Sequence, residues 1–131
     1  MINLDEKWYN HITALPEKEK TVYHVAILDE EVDNGGFNQY FINGYGQFAM
    51  DTIISLNLIH ANKTALILAK ALHLVNQENI DNHIFRRELL LGNIERLYVD
   101  EELDDALVVL DEEYSLYRDN LGTLLGNYLR S

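Results

Sequence analysis

The sequence predicts an all-α fold. Apolar residues recur at helical spacing along nearly the whole chain, the breaks fall at glycine, proline and amide clusters, and no run of alternating β-branched residues reads as a strand. With 131 residues, 47% hydrophobic and a single proline, residues 1–131 predict one domain of about six to eight helices.

Leu4 to Leu15 predicts a first short helix, with Trp8, Ile12 and Leu15 in one stripe. Pro16 suits the first turn of a second helix, where its missing N–H is no loss. Glu17 and Glu19 suit the positive end of that helix. It is expected to run to about Asp33 on a core face of Val22, Val25, Ala26 and Val32, widened by Tyr23 and Ile27. Asn34-Gly35 should stop it, since both residue types reach the left-handed conformation cheaply. Phe37 to Asn43 predicts a short helix with Phe37, Tyr40 and Phe41 on one face, broken by Gly44-Tyr45-Gly46.

Gln47 to Leu58 predicts the next helix, with Phe48, Ala49, Ile53 and Leu56 at helical spacing. Asn62 or Ala61 is expected to start the one after it, with Asn62 the better cap by type. From Ala65 to Val75 that helix is apolar nearly all round, which predicts the buried centre of the domain. A polar turn at 76–79 precedes a helix from Ile80 to Leu97, with Ile84, Phe85, Leu89, Ile94 and Leu97 inward. Arg86, Arg87 and Arg96 make this the densest basic patch. Glu101 to Arg118 is amphipathic, with Leu103, Leu107, Leu110, Tyr114 and Tyr117 inward and acids opposite. Asn120 to Leu129 predicts a terminal helix.

Charge narrows the function more than any motif does. Twenty-two acids against ten bases give −12. Nucleic acid and anionic membrane surfaces are poor partners for such a chain, because a binder needs positive charge to displace counterions from phosphates. A basic protein or a cation is the natural partner; the plainer reading is that acidity maintains solubility. Residues 100–131 hold nine acids and two bases, so that quarter carries −7. Asp29, Glu30, Glu31 and Asp33 form a second cluster.

Enzymatic signatures are weak. Cysteine is absent, which removes thiol nucleophiles, zinc-thiolate sites and disulfides, and suits a cytoplasmic location. The N-terminus is too acidic for a secretory signal, and no apolar run reaches the length of a membrane span. No serine stands in a Gly-x-Ser-x-Gly turn. No two of the five histidines share the i, i+4 spacing of a helical metal site, so no cofactor and no metal are expected. Gly35-Gly36 precedes a helix start but lacks the lysine of a phosphate loop, and the acids before it would repel an anion. Gln39 and Asn43, four apart, are expected to bond backbone groups left open at this joint.

Glu31-Val32-Asp33-Asn34-Gly35-Gly36-Phe37-Asn38-Gln39-Tyr40-Phe41-Ile42-Asn43, followed by Gly46, resembles the signature of the bacterial DNA mimic protein family. The resemblance extends to Ile59-His60-Ala61, Thr64-Ala65, Leu110-Asp111-Glu112-Glu113-Tyr114 and Tyr128-Leu129-Arg130, over roughly residues 16–130. Asp33 stands where the family commonly has Asn, and His60 where it commonly has Gly. The resemblance implies an all-helical fold, often dimeric, with no established catalytic residues. It also implies an acidic surface that occupies the DNA-binding face of a regulator.

The expected binding surface is therefore acidic: Asp29, Glu30, Glu31, Asp33, Glu101, Glu102, Asp104, Asp105, Asp111, Glu112 and Glu113. Asn34, Gly35, Gly36, Phe37, Gln39, Tyr40, Asn43 and Gly46 are expected to be structural. The partner is expected to be a basic protein, a DNA-binding regulator among them, with a homodimer as a further expectation. Two other readings stay open: a structural or oligomerisation domain with incidental acidity, and a small carboxylate-based or metal-dependent enzyme.

Overall fold

A computed structural model describes residues 6–131. These residues form eight α-helices and one 3-10 helix, with no strand among them. The helices are α1 (Glu6–Thr13), α2 (Glu17–Ile42), α3 (Ala49–Leu58), α4 (Asn62–Val75), α5 (Asn82–Leu90), α6 (Arg96–Val99), α7 (Glu101–Tyr117) and α8 (Leu121–Arg130). The 3-10 turn Tyr45–Phe48 joins α2 to α3. The expected start of the first helix at Leu4 lies outside the described residues.

The long helix α2 contains the joint. The sequence places the stop at Asn34-Gly35, but the helix runs on through both. The break is Gly36 alone, at φ 81° and ψ 179°, a region open essentially only to glycine. Phe37 to Ile42 then forms a second helical piece at a new angle. Its aromatic face is buried as expected, with Phe37, Tyr40 and Phe41 at most 1% exposed. Ahead of the joint the inward face is Thr21, His24, Val25, Leu28 and Val32, whereas the expected core residue Ala26 is exposed. The 3.6-residue stripe is simply rotated towards Leu28. Pro16 is the N-cap of α2 rather than part of its first turn.

Around this bent helix pack α3 on one side and α7 on another, while α4 lies between α3 and α7. Helix α4 is thus central. It is not apolar-buried all round: Leu66 is 59% exposed, beside exposed Lys70 and His73. Its start is capped from a distance. Asn62 bonds Asn57, while Asp119 accepts the Thr64 N–H at 2.9 Å and the Thr64 hydroxyl at 3.0 Å. Thr64 Oγ1 in turn accepts the Asp119 N–H at 2.9 Å, so the α7–α8 link and α4 cap each other. His60, in the α3–α4 turn, sits at φ 69°, the conformation a glycine would take without strain.

The expected helix from Ile80 to Leu97 is two helices. Gly92, at φ 74°, ends α5 in the turn before α6. The basic patch expected there dissolves. Arg86 is 6% exposed; it donates to both Glu6 carboxylate oxygens and lies 3.4 Å from the Tyr9 ring centre. Arg96 donates to Leu74 O and Asp100 instead of facing a partner. On α7, Leu103, Leu107, Leu110 and Tyr114 are buried, but Tyr117 is 62% exposed rather than inward.

Candidate binding surface

Helix α7 presents two edges. Asp111, Tyr114 and Arg118 recur at i, i+3 and i+7, which puts them on the edge facing α2. All three grip the joint. The Asp111 carboxylate accepts the Phe37 N–H at 2.8 Å, capping the helical piece that starts after Gly36. Tyr114 packs edge-on against Phe37, with ring centres 5.7 Å apart, and its hydroxyl donates to Asp29 at 2.7 Å. Arg118 donates to Asp29 at 3.1 Å and to Asp33. One stripe of α7 therefore holds residues on both sides of the kink.

Electrostatics follow from these contacts. Burial holds the Asp111 carboxyl above the ordinary carboxylate range; the Phe37 N–H opposes that and Asp104 adds to it. Burial, then the Asp29 bond, raises the Tyr114 hydroxyl. The Asp33 bond raises Arg118, against its own burial, and the charges of Asp29 and Asp33 add to the rise. At the start of α7, Asp100 caps the Leu103 N–H at 3.1 Å, and chiefly for that reason its carboxyl lies below the ordinary range.

The expected acidic surface thus divides. Asp29, Asp33 and Asp111 belong to the joint. Glu31 accepts from the Asn43 amide at 3.0 Å, so Asn43 bonds a side chain and not the open backbone expected of it. Glu113 pairs with Lys70 at 3.0 Å. Glu30, Glu101, Glu102, Asp104, Asp105 and Glu112 remain exposed, and five of these six lie on α7. That outer face also carries Val108, Val109 and Leu116, at 45%, 61% and 73% exposure, interleaved with the acids.

Three motif glycines stand where a side chain would collide. A Cβ on Gly36 would fall 2.3 Å from Asp111 Oδ2, one on Gly35 would fall 1.9 Å from Gln39 Oε1, and one on Gly46 would fall 2.2 Å from the Phe41 ring. Each glycine lets a neighbour close over bare backbone. Asn34 is exposed within the helix, and nothing in the structure explains its type.

One pairing has no sequence signal. His24 Nδ1 lies 2.8 Å from Ser55 Oγ, and the two residues are 3% and 4% exposed. Burial lowers the imidazole to about 4; Asp51 opposes this and Lys20 adds to it. The ring is therefore neutral at pH 7. Serine and histidine are the residue types of a nucleophile and its base, but this hydroxyl is sealed in the core. Among the described residues, no three His, Asp or Glu side chains converge as metal ligands, and no helix is long and apolar enough to cross a membrane.

No curated protein and no solved structure matches the chain. The family model described as DMP19-like protein matches residues 13–131, a span that holds the Gly36 joint and the whole α7 clamp. The chain belongs to that family, named for DNA mimic protein 19.

Proposed function

We propose that this protein is a non-enzymatic binder that occupies the DNA-binding surface of a basic DNA-binding protein, with the outer face of α7 as its contact. The observation that carries the reading is the row Glu101, Glu102, Asp104, Asp105 and Glu112, all exposed on one helix. At about 1.5 Å of rise per residue, Glu101 to Asp105 put four charges within roughly 6 Å of helix axis, and Glu112 adds a fifth roughly 10 Å further on. Averaged over the whole span of roughly 16 Å, the charge density is close to that of one DNA strand, with a phosphate about every 3.4 Å. A protein that grips phosphates with Lys and Arg finds a comparable charge density here, and Glu30 adds to it. Family membership supports the reading, and a cytoplasmic location goes with it.

The test is a competition assay. Duplex DNA should release the captured DNA-binding protein, and capture should weaken as salt rises. Replacing Glu101, Asp105 and Glu112 together by Gln or Asn should abolish capture at moderate salt. Capture indifferent to duplex DNA, or to those substitutions, would sink the reading.

A second reading has its own observation. Met50, Ile54 and Leu58 recur every four residues along α3 and are 45%, 64% and 40% exposed. A second copy covering this stripe would form a homodimer. Sedimentation of the intact chain decides it, since a strict monomer at high concentration leaves the stripe without that role.

A further inference from the structure

A cleft of about 340 Å³ opens where the end of α4 meets the link between α5 and α6. Its floor is apolar. Val75 and Phe85, 4% and 1% exposed, line it with the half-buried Ile80 and Ile94. Its frame is fixed by side-chain bonds. The Asn76 amide donates to Ile80 O and accepts the Ile80 N–H, both at 3.1 Å, closing the 76–80 loop into a ring. Across the cleft, the Asn93 amide donates to Glu88 at 2.8 Å.

The charges around the floor select the ligand. Glu78, Glu88 and Glu95 all line the cleft, and Glu88 pairs with Arg87 at 3.8 Å. Arg96 lines it too, but its guanidinium is committed to Leu74 O at 3.1 Å and Asp100 at 3.2 Å. Among the described residues no basic side chain pairs with Glu78 or Glu95. An apolar floor beside the carboxylates of Glu78 and Glu95, which no base pairs, suits a group with an alkyl stem and a cationic head. An anion would meet repulsion, and a purely apolar ligand would strand the carboxylates.

We infer that this cleft binds an alkylguanidinium or alkylammonium group, either as a free small cation or as the arginine or lysine side chain of a protein. The volume lies at the small end of ligand pockets and fits one such group. The site goes beyond the role of the α7 acids and does not depend on it.

Nuclear magnetic resonance of the labelled full chain tests this, with agmatine as the free cation and N-acetyl-arginine methylamide as the side-chain probe. Saturable shifts are expected at the Asn76 and Asn93 side-chain amides and at the Phe85 and Ile94 backbone. Glu78→Gln/Glu95→Gln, at two exposed positions, should weaken binding at least about threefold. The control Glu101→Gln/Glu112→Gln should leave it unchanged. Agmatine carries two positive charges and the capped arginine one, so tighter binding of the capped arginine identifies a protein side chain as the source, and saturable binding of agmatine with none of the capped arginine identifies a free cation. Shifts that rise without saturating, that spread equally over α7, or that weaken equally in both variants would overturn the site. Loss of DNA-competitive capture in the control with agmatine binding intact would separate the two surfaces.

Discussion

Asp111 and Glu112 are neighbours on α7, yet the first is half-buried against the joint and the second is exposed. Where α7 meets α2, two acids are turned to specific partners: Asp111 of α7 to the Phe37 N–H, and Asp29 of α2 to Tyr114 and Arg118. The outer edge leaves its acids to solvent. Acidic composition is thus two things in this molecule. On one edge it closes a helix break that glycine alone makes possible, and on the other it forms a charged surface. The joint is structural and the proposed binding lies on the outer face, so a substitution in one should scarcely touch the other.

The hardest way to break the joint is Gly36→Ala. Alanine cannot take φ 81°, ψ 179° without strain, and its Cβ would strike the Asp111 carboxylate that caps Phe37. We expect a loss of about 3 kcal/mol or more, read by chemical denaturation. A loss below about 1 kcal/mol would mean that the kink relaxes freely and that the α7 clamp does not depend on it.

The core between α2 and α3, where His24 meets Ser55, is expected to respond to pH. The folded value of His24, about 4, lies below its ordinary 6.5. Between those values the unfolded chain binds the proton and the folded chain does not. Stability from this group is therefore fully present above about pH 6.5 and is lost as pH falls towards 4. The loss approaches about 2–3 kcal/mol. Comparing the chain with His24→Gln from pH 7.5 to 4 isolates it, since the other groups titrate in both. The stability gap should narrow by that amount, and a gap independent of pH would rule out a neutral, buried imidazole.

The same contrast explains how much could be read from the sequence. Helical spacing yields nearly every helix, and the aromatic face of Phe37, Tyr40 and Phe41 is buried as its pattern implies. The continuous helix over 80–97 is wrong because Gly92 is one residue in an otherwise periodic run, and periodicity averages over it. Asp111 reads as a surface acid because a cap contributed from 74 residues away leaves no local mark. Arg86 is misread for the same reason: its partners, Glu6 and Tyr9, are remote in sequence. The acids of α7 are legible as charge, but their division into clamp and surface depends on which edge meets α2. Tertiary packing decides that.

Adjacent positions on α7 give the finest test of the division. Asp111→Ala leaves the Phe37 N–H without its acceptor beside a fixed kink, which should cost about 1–2 kcal/mol. Asp111→Asn keeps an oxygen that can accept the same N–H and removes a charge that burial disfavours. Its cost should be well below that of alanine, and the sign of the residue indicates which effect is larger. Glu112→Ala, one residue on and exposed, should change stability by no more than about 0.5 kcal/mol. Equal costs at 111 and 112 would erase the distinction between the two edges. The graded order of alanine, asparagine and the neighbouring control would instead establish that Asp111 acts through a hydrogen bond to Phe37 rather than through its charge.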